Sequence, residues 1–318
     1  MEIGVKETND VTFTPEIGKE DPETLGAMSM AVVKINDYYS TLFRELHQPE
    51  APQPILESVL AFASSKNGVD FERSGVVALR PTKKPESFDR LAVEDPTIVK
   101  MDGIYYVFHT AVRPASGRGV ETAIQLASGK SLENIGNKRI ILTPQDVKVD
   151  LGSVNMVKEP EFFQLPDGSW TMIYEFADFE KSRIAIATSK NLTGPYSGHR
   201  ILLDTRSDFW DSQHTSPGPL FSTSRRDICM FYNGRGARNE LDQTPTWAIG
   251  YVIIDTKTGA ISNRSETPII RPPNEIGPDN QLIAFANSLV QEGDRRIQTL
   301  YYTIADKRSA CARIAADL

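Results

Sequence analysis

Asp95 and Glu159 each stand directly before a proline, in Glu94-Asp95-Pro96 and Glu159-Pro160, and in each case an aromatic-rich segment follows a few residues later. Two carboxyl groups at matching places in neighbouring repeats suit the hydrolysis of a glycosidic bond. That reaction needs one protonated carboxyl to assist the leaving group and one ionised carboxyl to activate water. Glu161 lies two positions beyond Glu159 and falls on the same face of an extended strand. Glu175, at the end of the run Trp170 to Phe176, is a further candidate. Acidic residues at strand starts also cap turns or pair with Arg and Lys, so the chemical reading rests on the equivalence of Asp95 and Glu159. Proline after each of them favours an extended backbone at the carboxylate position.

Other chemistries find little support. His47, His109, His199 and His214 show neither i, i+4 spacing nor a Cys/His cluster, so no zinc site is expected. There is no Gly-x-Ser-x-Gly elbow and no phosphate-cradling glycine loop; Gly117-Arg-Gly119 and Gly234-Arg-Gly236 are isolated. No metal or cofactor is called for. Trp170, Trp210 and Trp247 could serve as sugar platforms or as core. Cys229 and Cys311 lie in apolar strand patterns and read as reduced core thiols.

The elements that must position these carboxyls recur five times. Ile35-Asn-Asp-Tyr-Tyr39, Met101 to Tyr106, Pro166 to Trp170, Asp227 to Tyr232 and Arg296 to Tyr302 are aromatic strands in similar surroundings, and in three copies a polar-Pro or Gly-Pro pair precedes them. This predicts an all-β, five-bladed β-propeller over residues 1–318 as one domain, because a lone four-stranded sheet cannot bury both faces. The first strand of each blade lines the axis, so side chains roughly sixty residues apart converge on one pocket. The blades are placed at about Leu25–Pro81, Leu91–Pro144, Lys158–Asp204, Asp211–Pro272 and Leu282–Ala315. Strands are expected at Met28–Lys34, Tyr38–Phe43, Ser58–Ser64 and Val76–Leu79 in the first blade, with Arg44 to Pro54 as a loop. The last blade shows three strands, and Asp10-Val-Thr-Phe-Thr14 is the segment available to close it. The polar loop Gly234 to Pro245, with Arg235 and Arg238, reads as a rim element.

A net charge of −7 gives no favourable long-range field toward nucleic acid or an anionic membrane, so neither is expected as a partner. The N-terminus does not read as a secretory signal and no apolar run reaches spanning length, which makes the cytoplasm the expected location. A neutral or cationic ligand fits better, and the oligomeric state is left open.

The motifs resemble glycoside hydrolase family 130, inverting β-mannoside phosphorylases and hydrolases with five-bladed propellers. Val93-Glu-Asp-Pro96 with Asp102-Gly-Ile-Tyr-Tyr106 is similar to the family's Glu-Asp-Pro-Arg segment and its aromatic strand. Trp210-Asp-Ser212 to Gly218-Pro219, Phe231-Tyr-Asn-Gly234, Ile253 to Ile270 and Tyr301 to Asp306 follow in the family's order. The resemblance implies an oligosaccharide or glycoside ligand, with Arg80, Glu94, Asn155, His214, Asn233 and Asp306 as binding positions. It also marks departures. Registering Pro160 on the family's Phe-Pro-Glu puts Asn155 where the general acid Asp stands, and an amide cannot donate that proton. Asn233, His214, Thr97 and Glu175 occupy positions where the family carries His or other basic residues. Losing cationic donors weakens phosphate binding, so hydrolysis by two carboxyls, drawn from Asp95, Glu159, Glu161 and Glu175, is the first expectation. A non-catalytic sugar-binding propeller is the second. A phosphorylase with phosphate contacts rebuilt from His214, Arg235 or Arg238 is the third.

Overall fold

The computed structural model describes residues 3–14, 24–47, 57–115, 119–148, 154–178, 181–224, 226–236, 244–277, 280–294 and 296–316. They form a five-bladed β-propeller. Blade one contains β3 (Thr24–Ile35), β4 (Tyr38–His47), β5 (Glu57–Ser65) and β6 (Asp70–Leu79). Blade two contains β7 (Ala92–Met101), β8 (Ile104–Pro114), β9 (Val120–Ser131) and β10 (Asn134–Leu142). Blade three contains β11 (Met156–Gln164), β12 (Trp170–Ala177), β13 (Ser182–Ser189) and β14 (Ser197–Leu203). Blade four contains β15 (His214–Ser222), β16 (Asp227–Arg235), β17 (Thr246–Asp255) and β18 (Ile261–Arg264). Blade five contains β19 (Leu282–Gln291), β20 (Ile297–Ile304) and β21 (Arg308–Ala316), closed by β1 (Ile3–Asp10).

The aromatic strands recur because the second strand of a blade is buried on both faces, which requires a nearly continuous apolar run. In β12, Met172, Tyr174 and Phe176 pack toward blade two, while Ile173 packs toward blade four. Five apolar clusters result, one between each pair of neighbouring blades. Hydroxyl groups fasten the junctions near the axis. Ser58, Thr122, Ser182 and Ser309 donate to the carbonyls of Val93, Val157, Thr215 and Ala27, each on the first strand of the next blade.

The ring is closed by the N-terminal segment, but through different residues from those expected. The eight residues of β1 pair antiparallel along β21, whereas β2 (Thr12–Thr14) runs parallel to β6 of blade one. A three-residue strand could not cover β21, and the longer segment before it can. The arm therefore bridges blades five and one: the Val11 amide donates to Ser309 and the Thr12 amide to Val69. Two further expectations change. Arg44 to His47 extend β4, with Arg44 paired opposite Met28, and residues 48–54 of the expected loop lie outside the described residues. The outer strand of blade one begins at Asp70 and not at Val76. No helix among the described residues is long and apolar enough to cross a membrane.

Each innermost strand carries a register shift at the same level: Met28/Ala31, Glu94/Thr97, Lys158/Glu161, Pro217/Leu220 and Ala286/Ser288. A bulge of this kind inserts a residue and re-aims its side chain. Ser29, Asp95 and Glu159 occupy these bulges at φ of 49°, 47° and 54°. The extended backbone expected before Pro96 and Pro160 is thus replaced by a left-handed one. For a non-glycine residue that conformation is uncommon and is concentrated at functional positions.

Candidate active site

The five bulges turn toward one another across the axis. Ser29, Asp95, Glu159, Pro217 and Ala286 line a common cavity of about 20 Å³, joined by Pro96, Thr97, Glu161, Phe285 and Asn287. The structure therefore brings together three of the four carboxyls singled out as catalytic, Asp95, Glu159 and Glu161. Asp95 accepts a hydrogen bond from the Ser29 hydroxyl at 3.0 Å. Glu159 accepts from the Lys158 ammonium at 3.1 Å and, on its other oxygen, from the Ser216 hydroxyl of blade four. The Glu159 amide donates to the Thr110 hydroxyl at 3.1 Å, and the Ser29 amide donates in the same manner to Thr303 at 3.0 Å. Blade-to-blade hydrogen bonds thus hold the strained bulges in place.

Behind this wall lie two cations. Arg44 meets Glu94 at 2.5 Å. Lys158 reaches both Glu159 and Glu175, at 3.1 and 3.4 Å. Burial works against the charged forms of both cations, but carboxylates outweigh it: Glu94, Asp95, Asp306 and Glu159 around Arg44, and Glu159, Glu175 and Asp95 around Lys158. Both bases are therefore held more firmly protonated than usual. Burial pushes Glu94 upward against the pull of Arg44. Glu159 is pushed well above the usual carboxylate range by burial, with Glu175 and Asp95 adding to it and Lys158 and Ser216 opposing. Lys158 thus stands between two carboxyl groups, and one ammonium offsets only part of the burial that raises Glu159. Glu161 is raised to about 8 by burial, opposed by a contact to the Thr97 hydroxyl at 3.5 Å.

The remaining expected positions are distributed around this centre. Glu175 is almost fully buried behind Lys158, and its Oε2 has no hydrogen-bond partner. Asp306 sits at φ 50° in the turn between β20 and β21, within electrostatic reach of Arg44. Asn155 precedes β11; its amide N–H bonds the Ala177 carbonyl, and its buried Oδ1 has no partner. Asn233 is fully buried, donating to the carbonyls of Pro217 and Ala286 and accepting from the Ala286 amide. It fixes two wall segments of the cavity and does not face the open space. Arg80 stands exposed at the end of outer strand β6, away from the axis.

His214 opens β15 beside Arg235, whose Nη2 lies 2.5 Å from Nε2. Burial together with the charges of Arg235 and Lys158 lowers this imidazole to about 4, so it is neutral. A guanidinium can only donate, so Nε2 faces a donor, and Nδ1 accepts from the Ser182 amide at 3.2 Å and lies 3.3 Å from the Ser182 hydroxyl. Arg235 also donates to Gln281 and Gln213. Arg238 lies outside the described residues.

Sequence reasoning missed Arg44, Lys158, Ser29 and Ser216. The available signal was the repeat itself: Met28-Ser29, Glu94-Asp95 and Lys158-Glu159 are equivalent pairs, so Ser29 and Lys158 could have been found by aligning blades. Trp210 stacks on Tyr232 at 5.3 Å, and a Cβ at Gly234 would come within 2.5 Å of its ring. The Gly234-Arg-Gly236 pair therefore seats a packed tryptophan. Cys229 and Cys311 are buried free thiols. Among the described residues, no group of three or more His, Cys, Asp or Glu is placed to hold a metal ion.

Comparison with known proteins fits this geometry. A glycoside hydrolase family 130 model, described as beta-1,4-mannooligosaccharide phosphorylase, matches residues 30–317. A 1,2-beta-oligomannan phosphorylase from Thermoanaerobacter sp. (strain X514) is 24% identical over 279 residues, covering 86% of this chain and 84% of the relative. Among solved structures, the beta-1,2-mannobiose phosphorylase from Listeria innocua superposes with a TM-score of 0.75 at 20% identity, covering 99% of this chain and 97% of that one. A second structure is described as showing that the GH130 family of mannoside phosphorylases contains glycoside hydrolases that target beta-1,2 mannosidic linkages in Candida mannan. It aligns with a TM-score of 0.70 at 20% identity, covering 92% of this chain and 84% of that one.

Proposed function

The chain belongs to glycoside hydrolase family 130, and from that premise we propose that it hydrolyses a β-mannoside with inversion at the axial cavity. Glu159 is the acid and Asp95 the base that activates water. The carrying observation is the pairing of these carboxyls at equivalent bulges around one cavity, with Glu159 bonded to Ser216 and Lys158 and pushed by burial above the usual carboxylate range. In this reading the Glu159 proton passes to the leaving oxygen as the C–O bond breaks. The water oxygen forms the new bond on the opposite face, and Asp95 takes up its proton. Water is favoured over phosphate as acceptor because Arg44 and Lys158 are already paired with Glu94, Glu159 and Glu175, and among the described residues no cationic side chain lines the axial cavity to hold a dianion.

Phosphorolysis is the second reading. Arg235 and neutral His214 at the entrance to blade four favour it, and so do the activities by which the Thermoanaerobacter and Listeria proteins are described. The deciding experiment is turnover of manno-oligosaccharides and aryl β-mannosides with and without phosphate, for wild type, Asp95→Asn and Glu159→Gln. Phosphate-independent release of mannose that both variants abolish supports hydrolysis. Strict dependence on phosphate replaces it with phosphorolysis. No turnover, with a mannoside still raising the melting temperature, leaves a sugar-binding propeller.

A further inference from the structure

The channel continues beneath the sugar cavity. A second cavity of about 210 Å³ lies on the same axis and shares Pro96, Thr97, Glu161 and Asn287 with the one above. Its own wall is largely aliphatic, with Val33, Val99, Leu220 and Leu289 among the lining side chains, and Glu161 is the one titratable group on it. Burying a carboxyl is costly unless it is well paired, yet the hydrogen bond found for Glu161 is the 3.5 Å contact from Thr97. The acid and base assigned above leave Glu161 unused. By volume the upper cavity has room for about one water and the lower for several, so in this reading the sugar lies at the mouth of the upper cavity and not within it.

We propose that Glu161 is a proton relay that joins the sugar cavity to a hydrated axial chamber and resets the reacting carboxyls between turnovers. The inference rests on the assignment of Asp95 and Glu159. After one inverting hydrolysis Glu159 is ionised and Asp95 is protonated, and the mouth is filled by sugar. Glu161 gives its proton to Glu159 through the single water of the upper cavity and is reprotonated from the chamber. Asp95 releases its proton to water as product leaves. One proton is gained and one lost, with no change of oxidation state. The charged and titratable groups around this neck are Glu94 and Asp95 on β7, Arg44 on β4, Lys158 and Glu159 on β11, Glu175 on β12, His214 on β15 and Asp306 in the β20–β21 turn. The elevation of Glu161 itself comes from burial.

Two variants test the relay. Glu161→Gln removes the proton carrier, and Leu289→Trp narrows the chamber without touching the upper cavity. Wild-type kcat on an aryl β-mannoside is expected to fall along an alkaline limb near pH 8. Each variant should lower kcat about tenfold or more with KM little changed, and Glu161→Gln should lose that limb. Hydrogen–deuterium exchange of the Glu161 carboxyl, followed by infrared difference spectroscopy with mannobiose bound, is read without turnover. It should persist in wild type and slow sharply in Leu289→Trp. The relay is overturned if Glu161→Gln keeps both kcat and the limb, or if exchange stops on mannobiose binding in wild type or continues unslowed in Leu289→Trp. If Asp95→Asn and Glu159→Gln remain active, the assignment of the reacting pair fails instead, and the exchange result still decides whether Glu161 communicates with the chamber.

Discussion

The Ser29 hydroxyl donates to Asp95 Oδ1 at 3.0 Å across the boundary between blades one and two, and both residues hold left-handed backbone at the same level of adjacent inner strands. The serine is the blade-one counterpart of the carboxylate it supports. One repeated backbone feature therefore places a carboxyl at the axial cavity in blades two and three and a hydroxyl that supports one of them in blade one.

Ser29→Ala is expected to lower turnover about tenfold, because Asp95 loses the bond that orients it, while stability falls by only about 1 kcal/mol. Kinetics and thermal melting of the same preparation check this. A large loss of stability with normal turnover in the remaining folded fraction would show that the bond serves the fold alone.

Lys158→Met removes the ammonium that Glu159 and Glu175 share. Breaking a buried ionic cluster on one side costs about 3–5 kcal/mol. Glu159 loses the neighbour that opposes its elevation, so its pKa moves further up. The variant is expected to melt well below wild type at pH 8 and to recover part of the difference at pH 5, because keeping a proton on Glu159 in the folded chain costs less as pH falls toward its unfolded value.

Glu161→Gln should stabilise the protein in a pH-dependent manner. The folded-state value of about 8 lies above the ordinary 4.5. Between these values the folded chain retains a proton that the unfolded chain has released, so wild-type stability declines as pH rises through that window. Glutamine does not titrate, and the gain in melting temperature should grow from near zero at pH 4.5 to its full size at pH 8. A constant offset at all pH values would place the Glu161 carboxyl outside the buried environment described.

Much of the fold was legible because period and burial are coupled. An aromatic strand must recur wherever a blade is packed on both faces, and Tyr174, Tyr232 and Tyr301 are each fully buried in that setting. The axial convergence of Asp95, Glu159 and Glu161 followed from the repeat. What remained hidden was local backbone geometry and pairing. A proline after Asp95 argues for extended backbone, and the bulge overrides it because Ser29 and neighbouring strands hold the turn. Arg44 was hidden by the proline-interrupted residues after it, although alternation from Leu42 places it within β4. Asn233 has the composition of a ligand contact, and only the structure shows its amide consumed by Pro217 and Ala286.

Asn155→Asp tests whether the buried, unpartnered Oδ1 marks an acid position. A carboxyl there that is protonated in the folded state could donate to a glycosidic oxygen. Turnover of the variant is expected to exceed wild type about tenfold below pH 6, with the excess lost as the new carboxyl ionises. An unchanged pH–rate profile would assign Asn155 to the wall of the cavity.

Removing residues 1–14 deletes both segments of the arm that joins blades five and one. Strand β21 would then present an unpaired edge, and the cluster between blades four and five would lose Ile3, which is 5% exposed in the intact chain. The ion pair between Asp10 and Arg308 at 2.5 Å and the bonds from the Val11 and Thr12 amides would go as well. The axial residues are not part of the arm, so the loss should act on the ring before it acts on the chemistry. The truncated protein is expected to melt at least about 5 °C lower, several kcal/mol being spread over a large domain, and to self-associate through the exposed edge. A synthetic peptide of residues 1–14 added in trans should restore the melting temperature in a concentration-dependent manner. If the truncated protein melts like wild type and keeps the oligomeric state of the intact chain, blade five holds the ring closed without the arm.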